Sequence, residues 1–125
     1  MGTWAAKPWD NDAAADWFGG IMDKTRLAAR VEKALLLDLE EYFETVRAAA
    51  AVLVLLGHVY VWPIDDLDRH LELAASKLEE ILKNDFHEGD QQYASAVKAE
   101  IAVLRARLGG VASPSASPEG PWWHF

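Results

Sequence analysis

Residues 48–62 read AAAAVLVLLGHVYVW and form the most apolar stretch of the chain. As an α-helix this stretch would span about 22 Å, which is short of the roughly 30 Å hydrocarbon core of a bilayer. Gly57 and His58 also interrupt it. The part from Ala48 to Leu56 is apolar on every side, as is typical of a helix that other helices surround. We therefore predict a buried central helix over residues 44–56 that stops at Gly57, and no membrane span.

A helix is also predicted to begin at the run Asp10-Asn11-Asp12. Asp and Asn side chains accept hydrogen bonds from the free amides of a first helical turn, and a carboxylate suits the positive end of the helix dipole. Apolar side chains recur in this helix at four-residue spacing, at Ala13, Trp17 and Ile21. Because glycine weakens a helix, we expect Gly19-Gly20 to end or kink it.

A second helix is predicted from Asp23 onward. One of its faces is apolar and comprises Leu27, Val31, Leu35 and, if the helix extends that far, Leu39. No proline or glycine occurs between residues 21 and 56. A single helix over that whole length would reach about 50 Å, which is too long for a small globule. We therefore predict a break near residues 38–42.

Two further helices are predicted after the central one. Residues 59–62 are β-branched or aromatic and precede Pro63, which is typical of an extended connector. The next helix is expected to be capped by Asp65 or Asp66. Its apolar positions are Leu67, Leu71, Ala74, Leu78 and Ile81. After a loop at residues 84–89, Asp90 is predicted to cap a last helix. The apolar face of that helix comprises Tyr93, Val97, Ile101, Leu104 and Leu108.

These elements predict an all-α fold, a compact orthogonal or bundle-like arrangement of about five helices with an ordered N-terminal arm and a Pro/Ser-rich C-terminal tail. We expect residues 1–110 to form a single helical domain and residues 111–121 to form a linker, because their Ala, Ser, Pro and Gly cannot bury a core. Residues 122–125, Trp-Trp-His-Phe, form an aromatic terminal cluster. We expect this cluster to dock, either near Trp4 and Trp9 of the same chain or on a neighbouring subunit.

Composition narrows the range of functions. The chain has 125 residues, no cysteine and a formal net charge of −8. The absence of cysteine rules out disulfides and thiolate chemistry and fits a reducing compartment, so we expect a cytoplasmic protein. Lysine and arginine are few and interleaved with acids, which argues against a nucleic-acid partner. The acidic balance favours a basic protein partner or self-association.

The sequence contains no convincing catalytic constellation, and we predict no catalytic residue and no cofactor. Its four histidines are scattered, and no serine lies in a nucleophile elbow. Two weak metal sites are possible, one at Asp12 and Asp16 and one at Asp66 and His70. Helix capping and solvated helix starts explain the same residues without an ion.

The opening of the chain resembles that of a known family. Residues 1–4, M-G-T-W, and residues 8–17, P-W-D-N-D-A-A-A-D-W, are similar to the start of the bacterial family called domain of unknown function 4259. The alanine-rich residues 47–57 and the helix end at residues 104–108 are similar to its later parts. The resemblance covers most of residues 1–108 and implies a small helical domain, without an activity or cofactor. The resemblance also implies that the following residues form the signature of the family: Trp4, Trp9, Asp10, Asn11, Asp12, Asp16 and Trp17.

The signature residues have a structural and a functional interpretation. They either pin the arm to the first helix or, with the terminal aromatics, form a partner-binding surface. The candidate surface is Trp4, Trp9, Asp10, Asn11, Asp12, Asp16, Trp17, Trp122, Trp123 and Phe125. Our preferred hypothesis is a non-enzymatic interaction or regulatory module. The alternatives are a small metal-dependent hydrolase that uses an Asp/His cluster, and a structural homodimer.

Overall fold

The computed structural model of the chain describes residue 8 and residues 11–108, and within them it has five α-helices. These are α1 (Asp12–Thr25), α2 (Leu27–Leu35), α3 (Leu39–Leu56), α4 (Ile64–Lys83) and α5 (Gln91–Ala106). The all-α class predicted from the apolar periodicities is thereby confirmed. Within the described ranges, none of the helices combines the length and the apolar character that a membrane crossing requires.

The core is built around α3 and α4. α3 packs against α2, α4 and α5, and its Val46, Ala50 and Leu53 are fully buried. All the apolar positions predicted for α4 are buried: Leu67, Leu71, Ala74, Leu78 and Ile81. The prediction of a central helix is confirmed, although α3 is not enclosed on every side. Leu55 is 55% exposed, so one strip of this helix faces solvent.

The predicted break between the second and third helices is present, and the stop at Gly57 is confirmed. α2 ends at Leu35, and the Asp38 side chain accepts a hydrogen bond from the Glu40 amide at the start of α3. Tyr42 has non-helical angles (φ −128°, ψ 25°) and kinks the first turns of α3. At the other end, Gly57 closes α3 by donating its N–H to the Leu53 carbonyl at 2.8 Å.

The expectation that Gly19-Gly20 would end or kink the first helix is wrong. α1 runs through both glycines, because each costs a helix only about 1 kcal/mol, which the neighbouring hydrogen bonds offset. The predicted apolar stripe of α1 is wrong as well. Met22 is the buried residue of this helix, whereas Trp17 is 63% exposed. Among the five helices, α1 packs mainly on α2, and most of its described residues are exposed or only partly buried.

Two expectations for the approach to α4 also need correction. Residues 59–62 form a turn rather than an extended connector, because the amides of Val61 and Trp62 both donate to the His58 carbonyl at 3.0 Å. α4 then begins directly after Pro63, which takes the N-cap position without a side-chain cap. Asp65 and Asp66 lie inside the first turn, where their charge still suits the helix dipole.

Asp90 caps α5 as predicted, accepting from the amides of residues 92 and 93.

Candidate functional site

An open groove of about 850 Å³ lies between α1 and the turn that joins α3 to α4. One wall comes from α1, with Ala15, Gly19 and Met22, and continues along the start of α2. The other wall is the continuous run from Val59 to Ile64. Asp23, Arg26 and Asp66 add charged groups to a lining that is otherwise largely apolar. Its volume lies within the range of clefts that bind small groups in proteins.

Two residues that line the groove have left-handed backbone conformations. Arg26 is the single residue between α1 and α2 and has φ 54°. Tyr60, at the tip of the opposite wall, has φ 77°. Side chains other than glycine adopt this region at a cost, and such residues concentrate at binding sites and switches. Both walls of the groove therefore contain a backbone geometry that the surrounding packing must hold in place.

The wall residue Trp62 is buried and is anchored from behind by His70, which is only 1% exposed. The Trp62 Nε1–H donates to His70 Nδ1 at 3.0 Å. An indole nitrogen is only a donor, so Nδ1 accepts and the ring hydrogen lies on Nε2. His70 Nε2 then donates to Glu32 Oε1 at 3.1 Å. Both ring nitrogens of this histidine are therefore engaged.

The network continues from Glu32 to the surface. Arg69 donates to the other Glu32 oxygen and also to Asp66 Oδ1 at 2.7 Å. The hydrogen bond from His70, followed by that from Arg69, lowers the pKa of the Glu32 carboxyl below its usual 4.5. The Trp62–His70–Glu32–Arg69–Asp66 network thus joins α2, α4 and the turn between α3 and α4. It stiffens the groove from behind and supplies no free base to it.

The predicted pair Asp66 and His70 is not brought together as a metal site. Asp66 accepts from Arg69, and His70 contacts Glu32 and Trp62. Asp12 and Asp16 are exposed on the first turns of α1. Among the residues that the structure describes, no three His, Cys, Asp or Glu side chains are grouped so that they could hold a metal ion.

The predicted interaction surface is only partly within the described residues. Asn11 caps α1 by accepting from the Ala14 amide at 2.8 Å, as the capping interpretation expects. Trp17 lies exposed beside Phe18, with the two rings edge to face at 5.3 Å. Six members of the predicted surface lie outside the described residues: Trp4, Trp9, Asp10, Trp122, Trp123 and Phe125.

Sequence reasoning missed the residues that organise the groove. Glu32 and His70 are 38 positions apart, and no periodicity connects them. Trp62 was assigned to a connector, and His70 to a solvated helix start. One local feature of the sequence does indicate that His70 is buried. His70 lies three positions after Leu67 and four before Ala74, so it belongs to the apolar stripe of α4.

Another residue that the sequence did not single out is Arg107. Its guanidinium donates to the carbonyls of Leu53 at 2.7 Å, Val54 at 2.6 Å and Gly57 at 3.2 Å. Burial lowers the pKa of Arg107 to about 10, so the group is still charged at neutral pH. A cation placed on the last carbonyls of a helix suits the negative end of its dipole. Arg107 therefore fastens the end of α5 to the end of α3.

Comparison of the chain with protein-family models, with curated proteins and with solved structures gives no match.

Proposed function

We propose that the protein is a non-enzymatic protein-binding module and that the groove between α1 and residues 59–64 is its binding surface. The observation that carries this proposal is the exposed apolar lining of the groove. Tyr60 is 52% exposed and Ile64 is 58% exposed, and both belong to one wall. Large side chains that are about half exposed beside a concave, largely apolar surface are typical of an interaction site.

The polar groups near the groove support binding rather than catalysis. His70 lies behind Trp62 with both ring nitrogens engaged, and Asp66 is paired with Arg69. A general base needs a nitrogen or oxygen that reaches the substrate, and these groups already have other partners. For the hydrolase alternative, Asp12 and Asp16 are exposed on α1 and gather no third ligand within residues 11–108.

The charge of the chain indicates the chemistry of the partner. On the groove itself Asp23 is accompanied by Arg26, and Asp66 is paired with Arg69. The negative field therefore comes from the chain as a whole, whose net charge is −8. A partner segment with one large apolar side chain flanked by lysine or arginine would fill the lining and complement this field. We also propose a bacterial, cytoplasmic setting without nucleic acid. That setting rests on the composition and on the resemblance to the domain of unknown function 4259 family, which stays a prediction.

The proposal is tested by crosslinking from the groove. A photoreactive benzoylphenylalanine in place of Tyr60 should capture a partner in living cells, and Ile64→Arg should abolish the capture by placing a charge in the apolar lining. Leu55→Arg is the matched control, because Leu55 is nearly as exposed but lies on α3 and outside the groove. Equal loss from both variants, or no crosslinked partner at all, contradicts the proposal.

A further inference from the structure

We propose that the groove is occupied in cis by the aromatic segment of the chain itself, Trp122-Trp123-His124-Phe125, so that an external partner must displace this segment. The inference goes beyond the proposed function. It rests on that function only for the expectation that an external partner displaces the segment. The segment itself lies outside the described residues. Its attachment point, its tether and its chemistry carry the argument.

The attachment point lies beside the groove. Arg107 donates to the carbonyls of Leu53, Val54 and Gly57, so the end of α5 is held against the last turn of α3. The groove wall begins two residues after Gly57, at Val59. The chain that follows Leu108 therefore starts next to the turn that forms this wall.

The tether is long enough to reach every part of the wall. Residues 109–121 separate Leu108 from Trp122. A chain of that length can span at most about 45 Å. The far end of the wall, Ile64, is seven residues from Gly57 and so lies within roughly 25 Å of it even at full extension. The segment can therefore reach the groove from the end of α5.

The chemistry of the segment matches that of the lining. The segment carries three large aromatic rings, and the lining exposes Tyr60 and Ile64 beside the buried Met22, Val61 and Trp62. Aromatic rings pack well on aliphatic side chains, on each other and on methionine sulfur. His124 can donate a hydrogen bond, and the Asp23 carboxylate lines the groove as an acceptor for it.

Because the segment is tethered, even a weak contact can keep it in the groove. A short flexible linker gives its ligand an effective concentration in the millimolar range. A segment whose free peptide binds more tightly than this concentration would occupy the groove most of the time when tethered. The composition of residues 111–121, which suits a linker and not a core, is what such a tether requires.

The test uses the methyl resonance of Met22 in the full-length chain. The protein has two methionines, of which Met22 lines the groove, so methyl-labelled methionine gives a simple spectrum. Replacing Trp122 and Trp123 by alanine should shift the Met22 resonance because two aromatic rings leave its neighbourhood. Trp17→Ala is the matched control, since Trp17 is exposed on α1 and is not part of the lining. This control should leave the Met22 resonance in place.

A peptide of residues 119–125 added in trans provides the second measurement. It should restore the native Met22 resonance in the double variant, and it should bind the unaltered chain on the order of tenfold more weakly, because the tethered copy competes. If the double variant is unstable, a spin label at Ser117→Cys replaces it. The chain contains no other cysteine, and the label should broaden Met22 at a protein concentration that keeps the chain monomeric.

Several outcomes overturn the inference. A Met22 resonance that does not move in the double variant, or equal peptide affinity for both chains, shows that the segment does not occupy the groove. A shift caused by Trp4→Ala and Trp9→Ala instead assigns the groove to the N-terminal arm. Broadening that grows with protein concentration assigns it to a second copy. If Met22 stays unmoved while the crosslink from position 60 still finds a partner, this inference fails and the proposed function stands. If the segment docks and no partner is found, the proposed function fails.

Discussion

The His70 imidazole shows how one side chain can hold distant parts of a small domain together. It accepts from Trp62 in the turn between α3 and α4 and donates to Glu32 on α2, although it belongs to α4 itself. A buried polar group is tolerated when its hydrogen bonds are made, and it is costly when one of them is lost. The groove wall therefore depends on a side chain that does not line the groove.

Trp62→Phe should destabilise the protein by about 1–3 kcal/mol, because the variant leaves His70 Nδ1 buried without a donor and replaces the indole by a smaller ring. Chemical denaturation measures the change. Trp17→Phe is the control, since this exposed ring has little buried contact to lose and should change stability by less than about 0.5 kcal/mol. Comparable losses in the two variants would show that the hydrogen bond to His70 contributes nothing.

The Glu32 carboxyl should make stability depend on acid pH. Because its folded-state pKa lies below the usual 4.5, its contacts contribute fully above that pH, and the contribution is lost as the pH falls through the lowered value. Glu32→Gln should therefore be less stable than the natural chain at neutral pH, and the gap should close on acidification. Urea denaturation between about pH 3 and pH 7 measures this gap. That range brackets the ordinary pKa of glutamate, which is about 4.3.

The exposed Glu80→Gln on α4 serves as the reference for the Glu32 experiment. Its difference from the natural chain should stay nearly constant over the same pH range. If the gap for Glu32→Gln also stays constant, the contacts with His70 and Arg69 do not stabilise the ionised carboxylate in solution.

At the scale of the helices, two kinds of glycine position behave in opposite ways. Gly20 lies within α1, and a methyl group added there meets no atom within 4 Å. Gly57 closes α3, and a methyl group added there would lie 2.5 Å from the Leu53 carbonyl oxygen. The first glycine weakens its helix, while the second makes a close backbone approach possible.

Gly20→Ala should stabilise the protein by about 0.5–1 kcal/mol, because alanine is a better helix former and has room. Gly57→Ala should destabilise it by about 1–3 kcal/mol, since the Leu53 carbonyl has to move away from the new methyl group. Thermal melts of the two single variants test whether stability rises in the first and falls in the second. A loss of stability in Gly20→Ala would mean that α1 needs its flexibility to pack on α2.

At the scale of the whole molecule, side chains fasten α5 to α3 at more than one place. Arg107 joins α5 to the carbonyl end of α3, next to the groove. Elsewhere α5 is tied to α3 by Arg47, which pairs with Glu100 at 2.7 Å and stacks over Tyr93 at 4.4 Å. α1 packs mainly on α2, and Arg30 of α2 donates to the Thr25 carbonyl at the end of α1 at 2.9 Å. The turn between α3 and α4 is thus fastened by more side-chain contacts than α1 is, among the described residues.

Arg107→Ala should destabilise the protein by about 1–3 kcal/mol, because the last carbonyls of α3 lose a buried charged donor. Arg107→Lys should recover only part of that stability, since a single ammonium cannot reproduce the fork that reaches three carbonyls. Denaturation in urea measures both variants. Full recovery by lysine would show that charge alone, and not the fork, closes the end of α3.

The sequence by itself determined the number of helices, the break before α3, the stop at Gly57 and the apolar stripe of α4. Each of these depends on the spacing of apolar residues or on a cap within a few positions, and such local interactions are visible in the sequence. Only the tertiary structure decided which face of α1 is buried, that residues 59–62 turn, and that Glu32 meets His70. These features depend on how the helices lie across one another, and contacts between residues 38 positions apart leave no local pattern.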